Sequence, residues 1–344
     1  MMLSESVKIN RKGYGAFLVF MILFSLSSLR MDIGTDFVNY IEVYDRLADP
    51  SYVYDYKIEP LFYILLKTIQ LTFDDTQLMF VFMAAITIAP AFLLRHLKSY
   101  SVGILAFILV MYLPGYSLVR QAAAISWILY ATAMLCQGSV KKSFWVMIFA
   151  MGFHYSAILF LPFIIMRKVR INWVFGLIAM VFIWVNINVI DIPNLILSNS
   201  LVQSTKYGVY LLNQYNAKTE LGSGLGVLLK VLPAIIFIVV SGIFKMTESK
   251  LSGARVLCLM NYAFIISAIL AMQIRIFNRL SDAFLFVPVI SLMYLHSNIN
   301  SKFNRNAIVL FVFFLLFVNY VLTIYTNPSS NEGGMGIYPY QWIL

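Results

Sequence analysis

The sequence predicts an all-α polytopic membrane protein that crosses the bilayer about eleven times and carries one amphipathic helix at the outer interface. Of its 344 residues, 61% are hydrophobic and only 12% are charged, whereas soluble domains usually carry about 25% charged residues. Such a chain cannot bury its apolar surface in one soluble core. We therefore expect one integral membrane domain over residues 1–344, with outer segments at 30–75 and 191–224.

The charged and metal-binding residues exclude several other classes. The net charge of +10 does not indicate nucleic-acid binding, because the lysines and arginines occur in short clusters between apolar runs. Cys136 and Cys258 lie inside apolar runs, which disfavours a disulfide, and the three histidines are unpaired, which disfavours zinc. No HExxH, GxSxG or nucleotide-binding signature is present. We expect no metal, no cofactor and no nucleic-acid partner.

Membrane spans are predicted where the apolar runs approach the roughly 17–25 residues that a spanning helix needs. These runs are 14–29, 76–94, 100–117, 121–137, 172–190, 225–244, 256–272, 281–296 and 306–325. The run 143–166 is interrupted at "GFHYS", and we expect it to cross out and back as two short helices that meet near His154.

The orientation depends on the segment 59–73. Basic residues near the N-terminus place that end inside, so the segment after the first span emerges outside. If 59–73 crossed the membrane, the basic cluster at 95–98 would lie outside. If instead it lies along the outer interface, the later basic clusters fall inside and the C-terminus lies outside. Its apolar residues follow helical spacing, as an interfacial helix requires: Leu61, Phe62, Leu65, Leu66 and Ile69.

Four arginines fall on the predicted outer side, against the usual bias, and binding an anion is the simplest reason. They are Arg30, Arg120, Arg275 and Arg279. Arg275 and Arg279 are four residues apart, so on a helix they share one face and can grip a diphosphate. Alternatively, these two side chains reach lipid headgroups, or one of them pairs with Asp282.

Other polar residues of the outer side have both a structural and a functional interpretation. Arg120 and Gln121 precede small residues that let a ligand approach, or they anchor a helix end. His154 is a general base or hydrogen-bond donor, or a neutral ring bonded to a neighbouring carbonyl. Asp36, with Thr35, caps the helix after it, or acts as a surface carboxylate. Glu59 likewise has two interpretations: a glutamate favoured by the helix dipole at a helix start, or a functional surface carboxylate.

Many of the 21 tyrosines also lie on the predicted outer side, Tyr40 and Tyr340 among them. Aromatic belts at the membrane interface explain some of these tyrosines. Sugar rings, which have one apolar face and hydroxyl edges, would use tyrosines as well.

Five short motifs, in order along most of the chain, give it a resemblance to a known family. They are "RxxxGTDFxxY" (30–40), "EPLF" (59–62), "VRQ" (119–121), "FHYSA" (153–157) and "RIFNR" (275–279). The chain resembles the EpsG-like bacterial polysaccharide polymerases, counterparts of the Wzy O-antigen polymerases. More distantly, the acidic outer loop and the amphipathic helix after it look like the GT-C glycosyltransferase architecture.

The resemblance implies a polymerase at the outer, periplasmic face of the bacterial inner membrane, which joins oligosaccharide units carried on undecaprenyl diphosphate. It implies no metal requirement, membrane lipids as surroundings, and a chain-length regulator as a further partner. Arg120 would act in catalysis, with His154 or Asp36 as the base. The expected diphosphate and glycan contacts are Arg30, Tyr40, Glu59, Gln121, Tyr155, Arg275, Arg279 and Asp282. The alternatives are a transferase of one sugar from a polyprenyl monophosphate and a non-enzymatic transporter of lipid-linked glycan; a glycan O-acyltransferase is less favoured.

Overall fold

The structure is a computed structural model. It describes residues 2–49, 51–54, 58–189, 199–200, 225–248, 253–272, 277–326, 336 and 340–341. Within these ranges the chain forms helices and no β-strand, so the predicted all-α class is confirmed.

The helices follow the predicted apolar runs. In the first half they are α1 Met2–Ser28, α2 Phe37–Ala48, α3 Pro60–Thr72, α4 Thr76–Leu93, α5 Tyr100–Phe107, α6 Pro114–Ser117, α7 Val119–Cys136 and α8 Val140–Met151. The second half has α9 Leu161–Met166, α10 Trp173–Val189, α11 Leu225–Ile243, α12 Gly253–Ala271, α13 Phe277–Ala283, α14 Phe286–Asn298 and α15 Lys302–Thr326. A π-helical turn, Ile108–Tyr112, extends α5, and a 3₁₀ segment, Tyr155–Phe160, precedes α9.

Six helical stretches in the described part of the chain are long and apolar enough to cross a membrane. They are Thr76–His96, Val119–Cys136, Gly226–Ile243, Gly253–Ala271, Phe277–Asn298 and Lys302–Ile324. Shorter apolar helices cover Gly13–Ser28, Tyr100–Tyr112, Tyr155–Met166 and Trp173–Asn186. A multi-pass membrane protein is therefore confirmed, whereas about eleven passes stays a prediction.

The chain divides into two compact units. Unit 1 contains Met1–Met134, Val140–Phe160 and Tyr320–Leu344, and unit 2 contains Leu135–Ser139 and Leu161–Asn319. The first unit holds four of the five motifs, and the second holds the last. A single integral membrane domain stays a prediction, as does the second outer loop, 191–224, most of which lies outside the described residues.

Helix α3 has the amphipathic pattern expected of 59–73. Phe62, Leu66 and Ile69 are fully buried, whereas Ile64 and Leu71 are exposed. With 13 residues it is about 20 Å long, which is shorter than the roughly 30 Å of a bilayer core. A short helix with one buried face fits an interfacial position better than a crossing.

The polar side of α3 holds the preceding helix. Lys67 donates its Nζ to the Leu47 carbonyl, and Gln70 Nε2 donates to the Tyr44 carbonyl at 2.6 Å. The last four carbonyls of a helix lack intrahelical partners, so Lys67 satisfies the Leu47 carbonyl at the C-terminal end of α2. The two helices therefore form one hairpin that follows the first apolar helix.

The expected break near His154 is present. Helix α8 ends at Met151, a turn follows at Gly152 and Phe153, and helical structure resumes at Tyr155. The run 143–166 is thus two short helical segments that meet beside His154, as the sequence predicts.

The orientation is testable at the two ends of α4. Asp75 and Lys98 are exposed residues that flank the candidate span Thr76–His96. In a background in which Cys136 and Cys258 are alanine, we expect Asp75→Cys to react with a membrane-impermeant maleimide in intact cells. We expect Lys98→Cys, its control, to react only after permeabilisation. The reverse pattern would make 59–73 a membrane span and invert this part of the topology.

Candidate functional site

The "GTDF" loop packs directly against the backbone that leads to Arg120. A Cβ added at Gly34 would lie 2.3 Å from the Tyr116 carbonyl oxygen, and this residue has a φ of +101°. Both facts require glycine: a Cβ would collide with the Tyr116 carbonyl oxygen, and residues other than glycine rarely adopt such a φ. The amide of Thr35 donates to Ser117 Oγ at 3.1 Å. The first motif therefore packs, within unit 1, against the turn that immediately precedes the third motif.

Arg30 lies inside this junction and is only 3% exposed. Its guanidinium carbon is 5.0 Å from the centre of the Phe80 ring and 4.9 Å from that of Tyr116. Within the described residues, Nε and Nη1 of Arg30 have no hydrogen-bond partner. Burial lowers the pKa of Arg30 to about 10, so the group stays charged at neutral pH. Arg30 is thus a buried cation with aromatic walls.

Arg120 is held differently, by an ion pair with Glu59. Its Nη1 lies 2.6 Å from Glu59 Oε2; the glutamate side chain is 1% exposed and the arginine side chain 28%. The guanidinium also lies 5.9 Å from the Tyr40 ring centre and 5.5 Å from that of Phe62. The backbone amide of Arg120 donates to the Tyr40 hydroxyl at 3.4 Å. The result is an oriented arginine that is still partly accessible.

The predicted cap by Asp36 is wrong, whereas Glu59 does lie at the helix start where the sequence placed it. Asp36 and Glu59 do occupy the positions before α2 and α3, but neither side chain makes a capping hydrogen bond. For Glu59 the reason is the ion pair to Arg120, a stronger interaction than a cap. At Asp36, the preceding residue Thr35 is already held through its amide by Ser117, so the loop conformation is set by tertiary contact.

The start of α3 is also fixed to the helix break beside His154. The amides of Leu61 and Phe62 donate to the Gly152 carbonyl at 2.9 and 3.4 Å. A Cβ at Gly152 would lie 2.4 Å from the Leu61 side chain, so this approach needs glycine. The "EPLF" and "FHYSA" motifs therefore share one junction, and Glu59 is next to it.

One interpretation of the sequence expected the His154 ring to bond to a carbonyl. In the structure, its Nδ1 bonds to Ser156. Ser156 Oγ lies 2.7 Å from Nδ1, and the Ser156 amide donates to Nδ1 at 3.3 Å. An amide donor makes Nδ1 an acceptor, so a neutral ring carries its proton on Nε2. This arrangement favours the hydrogen-bond-donor role of His154 over the base role.

The fifth motif lies in unit 2, and its residues are arranged differently from the expectation. Arg275 lies outside the described residues, so its pairing with Arg279 on one helix face stays a prediction. Arg279 is exposed in α13. Asp282 pairs with Lys230 at 3.2 Å, where the sequence offered an arginine as its partner. Of the four outer arginines, unit 1 contains Arg30 and Arg120.

The remaining predicted contacts are in unit 1: Gln121 is buried and Tyr155 is half-buried. Sequence reasoning missed Phe80 and Tyr116 as the walls of Arg30. The one available signal was the "PGYSLVR" turn, which places Tyr116 four residues before Arg120. In the described part of the chain, no three His, Cys, Asp or Glu side chains meet as a metal site needs. The absence of a metal requirement stays a prediction.

These features define the class of protein: a multi-pass membrane protein with one buried arginine and one partly exposed, ion-paired arginine near an amphipathic helix. The EpsG family model matches residues 14–342, nearly the whole chain, and the chain belongs to the EpsG family. The predicted resemblance is thereby confirmed. The comparisons with curated proteins and with solved structures found no match. EpsG-like proteins are related to Wzy-type polymerases, and the family suggests a membrane glycosyltransferase or polymerase of polysaccharide biosynthesis.

The Arg120–Glu59 pair makes a stability prediction. Arg120→Ala removes the cation that is paired with a buried carboxylate, and we expect it to lower the free energy of unfolding by about 2–3 kcal/mol, less than for a fully buried pair because Arg120 is partly exposed. Adding Glu59→Gln should recover part of this loss, because the amide is neutral. The measurement is denaturant unfolding of the purified protein in detergent micelles.

The control for this measurement is the exposed pair Arg170–Glu248, whose atoms are 3.9 Å apart and whose side chains are 53% and 52% exposed. Arg170→Ala should change the free energy of unfolding by less than about 1 kcal/mol. If the free energy of unfolding lost by the double variant equals the sum of the losses of Arg120→Ala and Glu59→Gln, the two residues are not energetically coupled.

Proposed function

We propose that this protein is a polysaccharide polymerase of the O-antigen type, which joins lipid-linked oligosaccharide units at the outer face of the bacterial inner membrane. The growing glycan is transferred from undecaprenyl diphosphate to a sugar hydroxyl of a second lipid-linked unit. The bond from the anomeric carbon to the diphosphate breaks, a bond to the attacking oxygen forms, and the diphosphate leaves with the electron pair. The lipid carrier supplies the activated bond, so the reaction needs no nucleotide.

The observation that carries this proposal is the Arg120–Glu59 pair, at which three of the family motifs converge. Negative charge develops on the leaving diphosphate, and a positioned guanidinium stabilises that charge best when no reorganisation is needed. Glu59 fixes Arg120 through one nitrogen, while 28% of the arginine side chain stays exposed to a ligand. We assign Arg120 to the diphosphate and Glu59 to its orientation.

We assign the base to Asp36. Asp36 and Tyr40 are four residues apart at the start of α2 and so share one face of it, and the Tyr40 hydroxyl contacts Arg120. A carboxylate on that face can accept the proton of the attacking hydroxyl beside the departing diphosphate. His154, with Nδ1 engaged by Ser156, supplies a hydrogen bond from Nε2.

The other predicted contacts complete the proposal. In unit 1, Tyr40, Gln121 and Tyr155 stay predicted glycan contacts. In unit 2, Arg275 and Arg279 stay predicted diphosphate contacts, and Asp282 a predicted glycan contact. The order of first helix, short outer loop and amphipathic α3 supports a GT-C-like architecture. Membrane lipids surround the site, and a chain-length regulator is a proposed partner. No metal and no cofactor take part in this scheme.

Deleting the gene tests the reaction and separates it from its rivals. We expect the deletion strain to display single, unpolymerised repeat units in place of long-chain glycan on gel electrophoresis. A transferase of one sugar would leave incomplete units, and a transporter would leave complete units inside the cell. A normal long-chain ladder in the deletion strain would contradict the polymerase proposal.

The assignment of the base is tested by complementing that strain with Asp36→Asn and His154→Gln. Asp36→Asn should reduce polymer by about 100-fold or more, because general base catalysis contributes 10²–10⁴-fold. His154→Gln keeps a donor and should retain part of the activity. Asp32→Asn is the control, because Asp32 is exposed and its φ of +51° is one that asparagine tolerates. Polymer at the control level from Asp36→Asn would exclude Asp36 as the base.

A further inference from the structure

The turn between α14 and α15 has a fixed backbone. Helix α14 ends at Asn298, α15 begins at Lys302, and Ile299 between them is 2% exposed. The Arg305 amide donates to the Ser301 carbonyl at 2.9 Å, which continues the start of α15 into the turn. All of these residues belong to unit 2. The turn therefore holds the last residues of α14 beside the first residues of α15.

Two half-buried side chains at this turn each have a buried nitrogen atom that forms no hydrogen bond with any described residue. The atoms are Nδ1 of His296, near the end of α14, and Nε of Arg305, at the start of α15. The charge of Arg305 acts on the His296 ring, so the two groups lie close together. A buried donor without an acceptor is unfavourable, and more so in a charged group. An acceptor placed between these nitrogens would therefore stabilise both.

Arg305 also has no counter-ion from its own unit. In the part of unit 2 that the structure describes, the acidic residues are Glu248 and Asp282. Glu248 lies 3.9 Å from Arg170, and Asp282 lies 3.2 Å from Lys230. Both carboxylates are thus paired with other cations. The charge of Arg305 is left to be balanced by a group from outside the chain.

Positive charge is concentrated at this turn. Lys302 and Arg305 are three residues apart and share one face of α15, and residues 296–306 include no acidic residue. The start of a helix itself carries a partial positive charge, so cations are disfavoured there. An anion at this position would offset a repulsion that the sequence builds into the start of α15.

The position of the turn between two candidate spans indicates where the anion comes from. The spans Phe277–Asn298 and Lys302–Ile324 meet at this turn, so we expect it to lie at the level of the lipid headgroups. Leu310 and Phe314 are 67% and 61% exposed, which gives α15 an apolar surface that suits lipid chains. Phosphate groups are concentrated at the membrane surface, and membrane phospholipid is therefore the nearest source of an anion.

We propose that His296 and Arg305 form a binding site for the phosphate group of an anionic phospholipid. Phosphate oxygens accept hydrogen bonds from Nε of Arg305 and from Nδ1 of His296, whose ring then carries a proton on that nitrogen. Lys302, on the same face of α15 as Arg305, adds attraction at longer range. A bound phospholipid would join the end of α14 to the start of α15. This site is independent of the proposed function.

Native mass spectrometry of the purified full-length protein, titrated with phosphatidylglycerol in detergent, tests the site. Arg305→Gln should weaken the tightest phosphatidylglycerol binding by about fivefold or more, because it removes one basic residue at the lipid surface. His296→Leu should weaken it by about threefold or more, because it removes one hydrogen bond. Binding at the wild-type level in both variants would overturn the site.

Two controls separate this site from a general effect of charge. Lys168→Gln removes one positive charge from an exposed position of unit 2 and should leave the tightest binding unchanged. Phosphatidylcholine, which has similar acyl chains but no net charge, should bind wild type and Arg305→Gln equally. If Lys168→Gln weakens phosphatidylglycerol binding as much as Arg305→Gln does, the attraction is not specific to His296 and Arg305, and the proposal fails.

Denaturant unfolding in detergent distinguishes lipid binding from a structural role of Arg305. A ligand that binds the folded state raises the midpoint, so phosphatidylglycerol should raise that of the wild type more than that of Arg305→Gln. Without lipid, Arg305→Gln should be at least as stable as the wild type, since its cation is unpaired; a lower midpoint would overturn the unpaired state of Arg305. If inorganic phosphate raises the wild-type midpoint as much as phosphatidylglycerol does, and leaves Arg305→Gln unchanged, the phosphate site stands and phospholipid is overturned as its ligand.

Discussion

One ion pair, between Arg120 and Glu59, connects several parts of unit 1. A carboxylate that is 1% exposed loses nearly all of its hydration, and only a close cation and good geometry can offset that loss. The pair joins residues 61 positions apart in the sequence and so ties the start of α3 to the start of α7. Since α3 also bonds to Gly152, the same constraint fixes the break beside His154.

Arg30 and Arg120, the two predicted outer arginines of unit 1, are held by different means, and this difference has chemical consequences. Arg120 has a carboxylate partner, so its position is fixed while part of its surface stays open to a ligand. Arg30 has aromatic partners, which stabilise a cation by their faces but accept no hydrogen bond along its N–H directions. The ion pair orients the charge of Arg120. The aromatic rings leave Nε and Nη1 of Arg30 without a hydrogen-bond acceptor among the described residues.

Apolar length and helical spacing were enough to predict the helices, the amphipathic α3 and the break near His154, because these properties are local. The side chains that contact a given arginine come from distant parts of the sequence, and periodicity carries no information about them. Arg120 was recognised as unusual, but its glutamate was not, and the rings around Arg30 come from α4 and α6. The cap at Asp36 failed because the contact of Thr35 with Ser117 overrides a local preference. Of the four arginines expected to form one group, the structure describes two in unit 1.

The short motifs make physical sense as contact points and not as a continuous site. Gly34 lies against the Tyr116 backbone, Gly152 lies against Leu61, and Glu59 lies against Arg120. Each contact needs one residue type at one position: two need the absence of a side chain, and one needs a carboxylate. Such a junction therefore requires a few specific residues at separate positions, and this agrees with motifs of three to eleven residues that are distributed over most of the chain.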